Sequence, residues 1–208
     1  MSEPTQTDPA ARAQAMRRRI EDTAEGLFRS MGYQKTAVAD IARDLGMSPA
    51  NIYRFYPSKS AINEAIAQRI LGAMLAEAES IAHGPGSAAE RLRHLFMALF
   101  ERKMEVFFQE RRLHDMVTAA MEAHWGVIDR HLAGVHAATA HVLAVGMAAG
   151  EFKARDPVKE AHTILHTMVP WNHPALLASS IARKGQTVEE LRAQVAAMSE
   201  FVLRALRP

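Results

Sequence analysis

We predict an all-α fold of nine or ten helices for this chain of 208 residues. Apolar residues recur at spacings of three and four along most of the sequence, which is the period of an amphipathic helix. No stretch sustains the apolar–polar alternation of a strand. Glycine, proline and capping residues divide the chain into separate helices, and three short ones lie near its start.

The composition is that of a globular protein with a full core, since 49% of its residues are apolar and 23% are charged. No apolar run approaches the roughly 18 residues that a membrane helix needs, and the N-terminus does not resemble a secretion signal. The absence of cysteine excludes disulfides, thiolate metal sites and cysteine nucleophiles. We therefore expect a cytoplasmic protein with no membrane partner.

The first helix is predicted from an apolar stripe that runs from Met16 to Met31 and stops at Gly32. Ahead of it we expect a disordered tail over residues 1–11, because this segment is polar and contains two prolines. Residues 1–60 carry nine lysines and arginines against seven acidic residues, whereas residues 61–208 carry sixteen of each. All the excess positive charge is therefore N-terminal, but for so small a difference taken by itself we favour statistical scatter.

Residues 36–62 carry the pattern of a helix-turn-helix. A short helix predicted over about Val38–Leu45 ends at Gly46, which allows a sharp turn because glycine takes a positive φ without steric cost. Ser48 and Pro49 then begin a second short helix, as its N-cap and its first-turn proline.

In the second short helix the predicted inner and outer faces differ in polarity. Ile52 and Phe55 are expected to face inward, and the outward residues suit a helix that lies in a major groove. By pattern alone, an ordinary helical hairpin is an equal alternative. The predicted outward residues are Pro49, Ala50, Asn51 and Arg54.

The rest of the chain is predicted as helices with their own start signals. Ser58 can cap a fourth helix, and Ser87 and Thr187 each open a capping box. Pro170 and Pro174 bracket a segment that we interpret as irregular. The helices are expected at about 58–82, 87–107, 110–121 and 125–149, from 156 onward, and at 187–205.

The helix-turn-helix segment resembles the N-terminal signature of TetR-type transcriptional regulators over about residues 12–62. Its departures are mild, and the main one is the order Phe55-Tyr56, which leaves Phe55 without a hydroxyl for a phosphate contact. The resemblance implies a three-helix DNA-binding domain over 12–62 and a helical effector-binding and dimerisation domain over 63–208. The matching residues are Gly32-Tyr33, Thr36, Val38, Ile41-Ala42, Gly46, Ser48, Ile52-Tyr53, Ser58-Lys59 and Ile62.

The resemblance implies a ligand-responsive repressor. Such a protein binds palindromic, double-stranded operator DNA as a homodimer and is released by a small molecule, here expected to be apolar or aromatic. No nucleophile–base pair, phosphate-binding glycine loop or paired-carboxylate signature is found in the sequence, so we predict neither an enzyme nor a cofactor.

Seven residues are expected to contact DNA. Asn51 can pair with an adenine edge, and Arg54 can bind guanine O6 and N7. Tyr53 resembles the family tyrosine that reaches the DNA backbone, and Lys59 is expected to neutralise a phosphate. The set is completed by two small residues that let the helix approach and by a threonine that caps the second helix or donates to a phosphate: Pro49, Ala50 and Thr36.

The larger domain is expected to dimerise through its last two helices, where apolar stripes suit a four-helix bundle, although such stripes also pack within one chain. The stripes are Val158, Ala161, Leu165 and Met168, then Leu191, Val195, Met198 and Val202, with Phe201 and Leu206 beside them. A methionine-rich and aromatic set is the candidate effector pocket, with plain core as the alternative for each member. Its members are Met104, Phe107, Phe108, Met116, Met121, Trp125 and Trp171.

Ten histidines suggest an alternative function, a histidine-rich helical metal-binding protein or metalloenzyme. His162 and His166 are four apart, and His124 and His131 are seven apart, spacings that place each pair on one helix face. No acidic third ligand follows from the spacing, so we predict no metal and favour a dimer-interface or pocket-lining role. A third possibility is an architectural DNA-binding protein with no ligand.

Overall fold

The computed structural model describes residues 8–108 and 126–208. This part of the chain is helical and without strands, as predicted. Its helices are α1 (Pro9–Met31), α2 (Val38–Asp44), α3 (Pro49–Tyr53), α4 (Lys59–Ala82), α5 (Ala88–Phe108), α6 (Gly126–Ala148), α7 (Pro157–Thr167), α8 (Val169–Asn172), α9 (Pro174–Lys184) and α10 (Val188–Leu206).

The described residues form two compact units that share one helix. The first unit contains residues 8–69, and the second contains residues 70–108 and 126–208. The division falls after Arg69, within α4, which is one continuous helix from Lys59 to Ala82. One continuous helix therefore belongs to both units.

The first helix begins earlier than the predicted end of the tail at residue 11. The Asp8 carboxylate accepts a hydrogen bond from the Ala10 amide at 3.1 Å, and Pro9 occupies the first helical position. Both features stabilise a helix start, because they satisfy or remove N–H groups that have no partner within the helix. At its other end α1 stops at Gly32, as predicted.

The turn between α2 and α3 has the expected glycine geometry. Gly46 takes a φ of 63°, and the amide of Met47 then donates to the carbonyl of Ala42 at 2.8 Å. The Ser48 hydroxyl caps α3 by accepting from the amide of Asn51 at 3.3 Å. A left-handed residue at this point reverses the chain within a few residues, which places α2 against α3.

The core of the second unit is built mainly by α5, α6, α7 and α10. α6 packs against α5 and α7, while α10 packs against α5. The largest side chains in this core are fully buried, and they are Leu92, Leu95, Phe96, Phe100 and Leu143. This packing explains why the apolar period was so regular along these helices.

Most residues of the apolar stripes that were assigned to the dimer interface lie in this core, whereas Val158 and Phe201 of the same set are exposed. Dimerisation through these helices stays a prediction. Val195 is completely buried, and Leu191 and Leu206 are at most 4% exposed. On α7, Ala161 and Met168 are buried as well. Within a single chain α5 covers the stripe of α10 and α6 covers the stripe of α7.

The segment interpreted as irregular is helical. α8 contains Trp171 and Asn172, and α9 follows it directly. Pro170 and Pro174 lie in the first turns of these two helices, where the missing N–H costs nothing. The prolines therefore begin helices here instead of interrupting them.

α6 is the one helix of the described residues that is long and apolar enough to cross a membrane, with a mean hydropathy of 1.2 over its most apolar window. Of that window, 44% is buried inside the protein. Val142 and Leu143 of α6 are fully buried in the second unit's core. A core helix accounts for this length and composition.

We predict that Gly146→Ala destabilises the second unit by about 1–3 kcal/mol, the usual cost of overpacking a filled core. A methyl group at Gly146 would overlap the ring of Phe152 and lie 2.7 Å from the Ala88 side chain. Gly72→Ala is the matched control, since nothing lies within 4 Å of its new methyl group. Urea unfolding should show a gain of up to about 1 kcal/mol for this control, from helix propensity. Equal effects of the two substitutions would contradict the packing described here.

Candidate nucleic-acid interface

The outward side of α3 presents the predicted reading residues to solvent. Tyr53 is 52% exposed, Pro49, Ala50 and Arg54 are also exposed, and Asn51 is half-buried. The opposite side of the helix carries Ile52, which is completely buried. A five-residue helix is thus fixed by its inner face while its outer face stays accessible.

The Arg54 guanidinium has no hydrogen bond or ion pair with any residue of the described chain. Two other arginines of the first unit are paired: Arg43 is 2.7 Å from the Asp40 carboxylate, and Arg69 binds Asp22 at 2.5 Å and also Glu25. An unpaired guanidinium keeps its five donors available for an incoming acceptor.

Thr36 has a different position from the one predicted. Its side chain is 1% exposed, and its hydroxyl donates to the Gly32 carbonyl at 2.9 Å. The residue that precedes α2 is Ala37, whose amide donates to the Asp40 carboxylate at 2.9 Å. Thr36 therefore neither caps α2 nor offers a hydroxyl to a phosphate, but closes the turn that leads into the motif.

Lys59 is the first residue of α4 and is bound to the turn before α2. Its ammonium donates to the carbonyls of Tyr33 at 2.8 Å and Thr36 at 3.0 Å, and lies 4.4 Å from the centre of the Tyr33 ring. Burial lowers the pKa of Lys59 below its usual value. Two of its three N–H groups thus hold the turn before α2 against the start of α4. A phosphate contact through the third N–H group stays a prediction.

The order Phe55-Tyr56, which departs from the family signature, has a structural explanation. Tyr56 is 8% exposed, and its hydroxyl donates to the Glu21 carboxylate at 2.5 Å. Burial and then the Glu21 charge raise the pKa of Tyr56, so the hydroxyl keeps its proton. Arg69 of α4 lies 3.9 Å from Glu21, which closes a network that joins α1, α4 and the segment after α3.

In the second unit, the structure describes two members of the predicted effector pocket. Met104 is 6% exposed, and Trp171 is half-buried against the same core. The indole N–H of Trp171 donates to the Gln194 side chain at 3.0 Å. The remaining members lie outside the part that the structure describes: the side chains of Phe107 and Phe108, and the residues Met116, Met121 and Trp125.

Two polar residues near these positions, Lys103 and Asn172, were missed by the sequence analysis. The Lys103 ammonium donates to the Asn172 side-chain oxygen at 2.9 Å, and its charge opposes protonation of His131, which is 6% exposed. Lys103 follows Glu101 and Arg102, a charged run typical of a solvated helix face, so nothing in the pattern indicated an interior position. Only its place next to Met104 could have drawn attention to it.

The histidines of α6 and α7 lie near one another. The His162 ring is 4.7 Å from that of His136 and 6.2 Å from that of His166. Even so, no group of three metal-ligating side chains among residues 8–108 and 126–208 is arranged to hold a metal ion. The metalloprotein alternative thus has no site in this part of the molecule.

Two family models match the chain. The one described as "Bacterial regulatory proteins, tetR family" covers residues 20–66, and "Tetracyclin repressor-like, C-terminal domain" covers residues 88–195. The second match alone spans half of the sequence. The chain belongs to the TetR family. Its helix-turn-helix lies within the segment that matches the bacterial regulatory proteins of this family, as the motif residues predicted.

Curated relatives match this TetR-family protein over part of their length. Nucleoid occlusion factor SlmA of Vibrio campbellii is 26% identical over 115 residues, which are 50% of this chain and 59% of that protein. The HTH-type transcriptional repressor KstR2 of Mycobacterium tuberculosis is 28% identical over 92 residues, which are 44% of this chain and 46% of that repressor. The matched segments thus cover about half of these relatives.

Solved structures share the fold over nearly the whole chain. A protein of Mesorhizobium loti described as a TetR-family transcriptional regulator has a TM-score of 0.72 at 20% identity, covering 95% of this chain and 99% of that one. A transcriptional regulator of Saccharomonospora viridis, solved in complex with choline, has a TM-score of 0.68 at 21% identity and covers 90% and 96%. At this identity the likeness concerns the fold.

We predict that Lys59→Met lowers the free energy of unfolding by about 1–3 kcal/mol, because two hydrogen bonds from a charged donor are lost and two carbonyls lose their partner. Lys35→Met is the matched control, since Lys35 is exposed in the same turn. Urea unfolding of the full chain measures both. An unchanged urea midpoint for Lys59→Met would show that the bonds of Lys59 to the turn before α2 do not stabilise the protein.

Proposed function

We propose that this protein is a ligand-responsive repressor. A homodimer would insert one α3 into the major groove at each half of a palindromic operator, and a small molecule bound by the second unit would release it. The observation that supports the proposal is the outer face of α3, where Tyr53 and Arg54 are exposed and bond no residue of the described chain, while Ile52 is buried on the inner face. The match to KstR2, whose name describes a repressor, supports repression rather than activation.

The residue types on this face suit base and phosphate recognition. Arg54 can donate two parallel hydrogen bonds to guanine, and the Asn51 amide can donate to and accept from adenine. Tyr53 can donate its hydroxyl to the DNA backbone, while Pro49 and Ala50 are small enough to let the helix approach. Phosphate contacts fix orientation, whereas base contacts give sequence preference.

We predict that Arg54→Ala and Asn51→Ala each relax the base preference at one position per half-site and cost about 1–3 kcal/mol of operator affinity. Binding-site selection followed by titration at a fixed salt concentration measures both effects. Arg183→Ala removes an exposed arginine from the last turn of α9 and should leave the selected site unchanged. If the Arg54 variant selects the wild-type motif with wild-type affinity, α3 does not read bases through this residue.

A second subunit is part of the proposal, because a single half-site supports only weak and unspecific binding. The outward face of α10 offers a surface for it. Phe201 is 59% exposed, and exposed alanines continue the same face at spacings of four residues. The face consists of Ala193, Ala197, Phe201 and Ala205. A self-complementary apolar face of this kind suits a two-fold interface.

We predict that Phe201→Glu converts the dimer to a monomer at micromolar concentration and leaves thermal stability of the subunit nearly unchanged, since the side chain is exposed in the single chain. Val195→Glu is the contrasting variant, because Val195 is completely buried and a carboxylate there would unfold the second unit. Sedimentation and circular dichroism separate the two outcomes. A Phe201→Glu protein that stays dimeric would exclude this face.

We propose that α4 transmits the effector signal. Its first half carries Lys59, which bonds the turn before α2, and Arg69, which binds acidic residues of α1. Its second half contacts α6 in the second unit. There the Leu71 carbonyl accepts from His131 at 3.2 Å, and Gly134 lies directly against Leu75. A ligand that favours a shifted position of α4 would therefore act on the residues of this helix that hold the helix-turn-helix.

The energetic requirement for such a switch is modest. The effector needs only a different affinity for the two positions of α4, and a coupling of roughly 1–3 kcal/mol is typical. A change of a few ångströms in the separation of two α3 helices would break their match to half-sites about 34–36 Å apart. The choline complex of the Saccharomonospora viridis regulator supports a small-molecule effector here too.

A further inference from the structure

We propose that the effector is an organic anion with an apolar body, and that Lys103 binds its negatively charged group. The inference rests on the proposed function, since it names the chemical class of the molecule that the second unit holds. It depends on three features of the described residues: an interior cation, the absence of a carboxylate to balance it, and sequence neighbours in the apolar core.

Lys103 lies on α5 and is directed into the second unit. Its side chain is half-buried, and its ammonium donates to the Asn172 oxygen of α8 at 2.9 Å. A neutral amide oxygen satisfies one N–H group and does not balance the positive charge. A buried charge is costly unless an opposite charge accompanies it, so this site is incomplete as an electrostatic arrangement.

The nearby carboxylates of α5 are already paired. Glu101 binds Arg192 of α10, and Glu105 is 2.6 Å from Arg102. Burial alone lowers the pKa of Lys103 to about 8, with no opposing contribution from an acidic group. At neutral pH most molecules therefore still carry the charge, which remains unbalanced within residues 8–108 and 126–208.

His131 adds no second charge to the site. Burial, followed by the charge of Lys103, lowers the pKa of His131 to about 4, so its ring is neutral at pH 7. The Leu71 carbonyl accepts from its Nδ1, which fixes the tautomer and leaves Nε2 as an acceptor. The polar centre therefore consists of one cation and neutral groups, an arrangement that favours a ligand with a single negative charge.

Residues of the apolar core are the sequence neighbours of Lys103 and Asn172. Met104 follows it on α5, and Trp171 precedes Asn172 on α8, with its indole N–H already bound to Gln194. The next residue, His173, has a buried Nδ1 that no described group bonds. A carboxylate would complete the charge balance at Lys103 while its apolar body covers these side chains. A cation such as choline would instead be repelled.

The binding test uses matched pairs of probes: decanoate and decanamide, 3-phenylpropanoate and 3-phenylpropanamide, and choline as the cation. Each is titrated into the full-chain protein by calorimetry. We expect at least one acid to bind at least about tenfold more tightly than its amide, the size of one charge-assisted hydrogen bond. Lys103→Met should remove this preference, and Lys184→Met, which alters an exposed lysine of α9, should retain it.

A second measurement needs no ligand. Between pH 8 and 10.5 the unfolded chain holds a proton on Lys103 that the folded chain has released, so stability from this residue rises with pH across that range. Below pH 8 the lysine destabilises the empty protein. We therefore expect Lys103→Met to raise the melting temperature at pH 7 and to lose that advantage by pH 10.

The outcomes are decisive in both directions. A lower melting temperature for Lys103→Met at pH 7 would assign Lys103 a structural role, and acids that bind no better than their amides, or not at all, would overturn the proposal. Measuring operator binding distinguishes a failure of the anion proposal from a failure of the proposed repressor function. Acids that bind through Lys103 without releasing DNA would contradict the repressor switch, whereas release of DNA by neutral or cationic molecules alone would contradict the anion.

Discussion

The first unit depends on how a five-residue helix is held in place. α3 is too short to be stable by itself, because most of its backbone groups lie at helix ends. Its position comes from the burial of Ile52 and from the Gly46 turn against α2. Lys59 and the Tyr56–Glu21 hydrogen bond then tie the segments on either side of the motif to α4 and α1. The burial that fixes α3 is on its inner face, so its outer face stays exposed.

The second unit contains the opposite arrangement, an interior group that folding does not need. Burial lowers the pKa of Lys103 to about 8, and this residue lies where an effector is proposed to bind. Residues that oppose stability are common at ligand sites, where the bound molecule completes the interactions. The same site is linked to α4 through His131 and the Leu71 carbonyl. Recognition of the effector and movement of the shared helix therefore involve neighbouring side chains.

The errors of the sequence analysis share one cause: a pattern of apolar or polar residues does not show which other segment those residues contact. The stripe of α10 containing Val195 was regular enough for an interface, but α5 covers it within the same chain. Thr36 matches the family motif, yet its hydroxyl is buried and donates to Gly32. Pro174 was interpreted as a break because a proline's effect depends on its position in the helix, which the sequence leaves open.

The sequence by itself determined the helical class, the helix-turn-helix with its Gly46 turn and Ser48 cap, and the membership of the TetR family. These features depend on local period, local capping and short-range spacing, which a single chain segment contains. Tertiary structure alone decided which outward residues stay unpaired on α3 and which face of α10 remains exposed. It also placed Lys103 beside Asn172, 69 residues later in the chain. Contacts between distant segments depend on how the helices pack, and no local pattern specifies them.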